Sequence, residues 1–182
     1  MNILVICGSL RKGSYNKSVA RALPSLAPTS VTFSDAPSFA SFPIYNADDQ
    51  QADGFPAGVT AFADAVRNAD GVVIVSPEYN YSVPGGLKNA LDWVSRLKEQ
   101  PFVDKPVALM SASGGPVGGA RMQYHMRQIM VFLNARVFNT PEVFVGLAPS
   151  KIDDKGEITD QPTKDFIAKQ LAAFQKFVEK MK

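Results

Sequence analysis

The chain has 182 residues, which is room for one ordinary domain or two cramped ones. With 46% hydrophobic and 20% charged residues it can bury a core unaided, and one cysteine excludes a disulfide framework or a cysteine-rich zinc site. The 19 basic and 17 acidic residues leave a formal charge of +2 with no basic run, which argues against nucleic acid as a partner.

The first seven residues lack a basic n-region and a cleavage site, and no apolar stretch approaches the ~20 residues of a membrane helix. The expectation is a reduced cytoplasmic protein with no membrane partner. Apolar, β-rich runs at 3–7, near 31–33, at 71–76, at 106–111 and in a last pair near 137–138 and 143–145 predict strands. The runs 71–76 and 107–110 are continuously apolar, as in parallel strands covered on both faces. Helical patterns fall between them at 17–27, 57–69, 85–98, 119–134 and 163–181. Strand and helix alternate throughout, so the prediction is an α/β fold, an open doubly wound parallel sheet, as a single domain over 1–182.

Local signals sharpen some of these boundaries. Asp160 or Thr159 should cap the last helix, with Pro162 in its first turn and Ile167, Leu171, Phe174, Val178 and Met181 as its buried stripe. Pro24 should end or kink the first helix. The stretch 34–56 has no period and contains Pro37, Pro43, Gly54 and Pro56, so it reads as a long loop.

Ligands of open parallel sheets bind beyond the carboxyl ends of the strands, and three strand ends here carry unusual loops. The first is Gly8-Ser9-Leu10-Arg11-Lys12-Gly13-Ser14-Tyr15-Asn16, which runs into a helix. Hydroxyls, an amide and an arginine beside a helix N-terminus suit an anion. Neither the Walker pattern nor G-x-G-x-x-G is present, so a phosphomonoester held by hydroxyls fits better than a pyrophosphate on glycines. The second loop is Ser76-Pro77-Glu78-Tyr79-Asn80-Tyr81-Ser82-Val83-Pro84-Gly85-Gly86, with two prolines bracketing two tyrosines. Such a loop is stiff, and it can offer backbone groups to a heterocycle's edge and an aromatic ring to its face, although the tyrosines could instead lie on the helix below. The third is Ser111-Ala112-Ser113-Gly114-Gly115-Pro116-Val117-Gly118-Gly119, glycine-rich enough for close backbone approach.

Together these loops, with the continuation Leu87-Lys88-Asn89-Ala90-Leu91-Asp92-Trp93 and the stretch from Gly118-Gly119-Ala120-Arg121 to Arg127, resemble the NADPH-dependent FMN reductase family of the flavodoxin-like fold. The likeness is nearest to its bacterial quinone and chromate reductase branch, some of whose members are called azoreductases. The resemblance implies a five-stranded sheet of order 2-1-3-4-5 with helices on both faces, bound FMN, and an oligomer built on dimers. It implies that Ser9, Arg11, Ser14, Tyr15 and Asn16 hold the FMN phosphate. Pro77, Glu78, Tyr79, Asn80 and Tyr81 would border the isoalloxazine, mostly through main-chain groups, and Ser113 with Gly114 would close the site. NAD(P)H would deliver hydride to the flavin, and quinones, with chromate or azo dyes as further acceptors, would take it in a ping-pong cycle. That chemistry requires no catalytic acid or base and no metal. The alternative is a flavodoxin-type electron carrier, which the near-neutral charge argues against.

Two residues are set aside. His125, the only histidine, lies inside a helical pattern and reads as structural or solvent-facing, while Cys7 at a strand end reads as packing. The helix 119–134 has a core stripe of Met122, Met126, Ile129, Met130 and Leu133 and a second face of Arg121, Tyr124, Gln128, Val131 and Phe132. Large side chains on both faces, with Trp93 added to the helix 87–97, predict a homodimer across the flavin sites or a dimer of dimers using the Arg121–Tyr124 face. Glu142 is the expected partner of Arg121 or Tyr124.

Overall fold

Strands that are apolar along almost their whole length persist only where both faces are covered. In the computed structural model, which describes residues 1–181, β1 (Asn2–Cys7), β3 (Gly71–Val75) and β4 (Pro106–Ala112) form such a centre and are buried almost throughout. β2 (Thr32–Asp35) adds to one edge, and β5 (Arg136–Val137) and β6 (Val143–Val145) to the other. All pairings are parallel and the order is β2-β1-β3-β4-β5, as the resemblance implies.

The sheet has six strands in five positions. β5 pairs with Pro106 and Val107, and β6 with Met110 to Ala112, so both lie along one edge of β4. Between them the ladder is broken, and Gln170 bridges the gap by donating from Nε2 to the carbonyls of Leu109 (3.3 Å) and Pro141 (2.6 Å). A buried carbonyl left without a strand partner must be satisfied by something, and here a side chain does it.

Alternate strand residues face opposite ways, which splits the core. Ile3, Val5, Val73, Val75, Ala108 and Met110 meet α1 (Tyr15–Leu26) and α6 (Gln161–Met181). Leu4, Ile6, Val72, Ile74, Val107 and Leu109 meet α3 (Ala57–Asn68), α4 (Gly85–Val94) and α5 (Ala120–Phe132). Asp160 caps α6, accepting from the Thr163 amide at 2.9 Å; Thr159 does not. Pro24 does not end the first helix, which runs on to Leu26.

The stretch 34–56 differs from a plain loop. It contains a short helix, α2 (Ala47–Asp53), capped by the Asn46 side chain. Phe39 is buried, and Phe42 sits edge-on to Phe62 at 6.2 Å. Trp93, expected on an outer helix stripe, is instead covered by this segment. Its Nε1 donates to the Pro43 carbonyl at 2.8 Å, and Tyr45 stands edge-on to it at 5.1 Å. Trp93 therefore contributes nothing to an exposed face.

Candidate functional site

Parallel pairing brings three strand ends side by side. The Gly8 amide donates to the Val75 carbonyl (2.9 Å), and the Ser76 amide to Met110 (3.0 Å). A Cβ on Gly8 would stand 2.3 Å from Ser76 Oγ, so only glycine lets the first loop leave the sheet this close to the second.

The first loop ends at Ser14, the N-cap of α1, whose Oγ accepts from the Asn16 amide at 3.2 Å. Ser9 and Ser14 are buried, whereas Arg11 and Lys12 are exposed. Among the described residues, no backbone carbonyl accepts from the amides of residues 9–13. Open amides, two hydroxyls, Arg11 and a helix N-terminus form a donor set matched to a phosphate. Arg11 itself donates to the Gly13 carbonyl, and its guanidinium lies 5.8 Å from the Tyr15 ring centre. Asn16 serves differently from the expectation. Its carboxamide is committed to Ala112, donating to the carbonyl and accepting from the amide, both at 2.9 Å. It ties α1 to the end of β4, and its side chain is not free for a ligand.

The second loop is a tight hairpin. Tyr79 and Ser82 exchange two backbone hydrogen bonds at 3.0 Å, and Asn80 and Tyr81 between them have φ of 49° and 69°. Two left-handed residues in a row make a type I′ turn, a conformation natural for asparagine and strained for tyrosine. The turn holds both rings out of the protein, with Tyr79 49% and Tyr81 65% exposed, rather than on the helix below. Pro77 and Pro84 are buried at its base. Glu78 does not turn its carboxylate toward this opening. Oε2 accepts from the amides of Arg121 (3.0 Å) and Met122 (3.3 Å), and Oε1 pairs with the Arg121 guanidinium at 3.1 Å. It caps α5, whose own N-cap, Gly119, has no side chain to do so. What Glu78 can offer a ligand is main chain.

In the third loop Gly118 and Gly119 take φ of 64° and 86°, and a Cβ on Gly119 would lie 2.8 Å from Ser111 Cβ. Ser113 Oγ bonds the Gly115 carbonyl at 3.1 Å, with Gly114 at the turn. Beneath lies Gln123, which the sequence reading passed over. It is fully buried and donates to Ser111 Oγ and the Val143 carbonyl, both at 2.8 Å, fixing the loop's root. A glutamine between two core methionines gives no signal of such a role.

A groove of about 1050 Å³ follows the first loop and α1, walled by Ser9, Ser14, Lys17, Asp35, Phe39 and Gly156. A smaller one of about 330 Å³ lies between the hairpin and α5, beside Ser82, Lys88 and His125. His125 is exposed, with Nδ1 3.0 Å from Ser82 Oγ. Burial pushes the Cys7 thiol up, away from the thiolate that redox chemistry needs. On α5, Arg121 pairs with Glu78 rather than Glu142. Glu142 instead meets Arg127 at 3.1 Å and Tyr124 at 3.4 Å.

The open amides and hydroxyls suit a phosphate, and the exposed tyrosines with backbone edges suit a flat ring across the sheet end. This is the donor set a phosphorylated flavin needs. The pattern defining the NADPH-dependent FMN reductase family matches residues 1–150, and the chain belongs to that family. It is an oxidoreductase that works with FMN and NAD(P)H. Over 183 aligned residues it is 54% identical to a quinone reductase of Escherichia coli strain K12, covering 100% of this chain and 97% of that one. It is 42% identical to an NAD(P)H-dependent FMN reductase of Pseudomonas aeruginosa, with 100% and 97% covered. Among solved structures, the flavoenzyme NAD(P)H:(acceptor) oxidoreductase FerB from Paracoccus denitrificans superimposes with a TM-score of 0.88 at 31% identity, covering 99% and 98% of the two chains.

Proposed function

We propose that this protein is a quinone reductase that keeps FMN at the carboxyl ends of β1, β3 and β4 and works as one domain over 1–182. The observation that carries the reading is the pairing of an amide-lined loop at the α1 N-terminus with the tyrosine hairpin on the neighbouring strand. The similarity to the quinone reductase of Escherichia coli supports the acceptor class.

Ser9, Arg11, Ser14 and Tyr15 hold the phosphate, with Asn16 contributing position rather than a side-chain contact. Pro77, Glu78, Tyr79, Asn80 and Tyr81 border the ring, and Ser113 and Gly114 close the opposite side. Held there, FMN would supply the hydride chemistry between NAD(P)H and the acceptor. The protein's share is to fix the ring, leave one face open to two substrates in turn, and set backbone dipoles against negative charge. No side chain is needed as acid or base.

The same open face would admit chromate and azo compounds as further acceptors. A cytoplasmic location, where NAD(P)H is available, is part of the proposal. Among the described residues no helix is long and apolar enough to cross a membrane. It assembles as a homodimer or dimer of dimers through the outer face of α5, where Val131 is 77% and Phe132 75% exposed. Arg121, Tyr124 and Glu142 stand along that same flank.

Steady-state oxidation of NADH and NADPH by the yellow holoprotein with 1,4-benzoquinone tests this. Turnover in the range of one or more per second is expected. A flavin-loaded protein that does not turn over with either nicotinamide contradicts the reading.

A further inference from the structure

The hairpin is gripped from outside by α5. Arg121 and His125 are four residues apart on that helix and so share a face. Arg121 pairs with Glu78 at the hairpin's base and lays its guanidinium 4.0 Å from the Tyr81 ring centre. His125 bonds Ser82 at the hairpin's other foot. The chain between those feet contains two consecutive left-handed residues, one of them a tyrosine that would relax if released.

We infer that Arg121 and His125 are positioning residues that hold the Tyr81 ring at the acceptor's entrance and thereby set how large an acceptor enters. The inference rests on the proposed flavin site, whose Glu78 and Tyr81 Arg121 reaches from α5. The guanidinium does two jobs that a lysine could not combine: it ion-pairs in its plane and stacks with its face. Glu78 is the joint. One carboxylate caps α5 and ion-pairs with Arg121, so the helix start and the hairpin move as one body. With Arg121 removed, α5 keeps its cap, because the cap uses backbone amides, but Tyr81 loses its stacking partner.

The test compares KM for 1,4-benzoquinone and for the three-ring 9,10-phenanthrenequinone in the FMN-loaded protein. Arg121→Ala should shift the ratio of the two KM values in favour of the larger quinone by about threefold to tenfold, with FMN still bound. Arg121→Lys, which keeps the charge and loses the planar face, should recover less than half of that shift. In a Tyr81→Leu background, Arg121→Ala should add nothing to the ratio, since the partner is already gone. His125→Ala should shift it in the same direction by a smaller factor. A second readout is independent of turnover: the near-ultraviolet circular dichroism of the tyrosines should change on Arg121→Ala and not on Arg121→Ala in the Tyr81→Leu protein. An unchanged ratio in Arg121→Ala, or effects of Arg121→Ala and Tyr81→Leu that simply add, would overturn the inference. A wild type inert toward both quinones would instead overturn the proposed function, while the dichroism still decides the clamp.

Discussion

Asn16 and Ala112 form a two-point bridge, the carboxamide of one closing a ring of hydrogen bonds on the backbone of the other at 2.9 Å each way. They are 96 residues apart in sequence and join the start of α1 to the end of β4. The bridge fixes the spacing between the first loop and the third, and so the width of the site.

Asn16→Ala should therefore destabilise the fold. Two buried hydrogen bonds are lost and two backbone groups stranded, for a cost of about 2–4 kcal/mol. Urea unfolding followed by circular dichroism measures it. A loss below about 1 kcal/mol would mean that water replaces the amide without difficulty.

Gly8→Ala probes the same spacing from the other side. The added methyl meets Ser76 Oγ and Cβ, at 2.3 and 2.7 Å, and one of the two loops must give way. A stability loss of about 1–3 kcal/mol is expected, together with weaker flavin retention on gel filtration. A variant as stable and as yellow as wild type would show that the close approach is dispensable.

The parts of this structure that local sequence carries were legible, and the parts that depend on distant partners were not. Continuous apolar runs marked β3 and β4, and Asp160 announced the start of α6. Ser14 was legible as a hydroxyl at a helix start, and it caps α1 by accepting from the Asn16 amide. The part of Glu78 as the cap of α5 could not be read, because its partners lie 43 and 44 residues on. The same holds for Asn16, whose type suggested a ligand contact while its partner lies on another strand. The short helix α2 was missed because Ala47–Asp53 has no buried face to give it a period. Trp93 was assigned outward since nothing local reveals that Pro43 and Tyr45 return to cover it.

Asp160 gives the fold an acid sensitivity. Hydrogen bonds from the Thr163 hydroxyl and amide hold its carboxyl below the usual carboxylate range. The folded state thus favours the carboxylate, and its contribution is complete above the unfolded value of about 3.9 and fades as pH falls through the lower folded value. Thermal midpoints of wild type and Asp160→Ala should differ at pH 7 and converge as acidification below the unfolded value protonates the folded carboxyl. A gap that stays constant on acidification would contradict the assignment.

The outer face of α5 predicts an oligomer. Val131→Ser with Phe132→Ser should lower the mass seen by light scattering, because a contact built on these two side chains would lose most of its apolar area. An unchanged mass would move the interface elsewhere, and a monomeric wild type would remove it.

The central claim is that the loop at the start of α1 reads a phosphate, and flavin binding to wild type and Arg11→Ala measures it most directly. Fluorescence titration of apoprotein with FMN and with riboflavin compares two ligands that differ only in that group. A charge-assisted contact contributes about 1.5–3 kcal/mol, so Arg11→Ala should weaken FMN at least about tenfold and leave riboflavin nearly unaffected. Equal losses for both flavins, or none for either, would contradict the account.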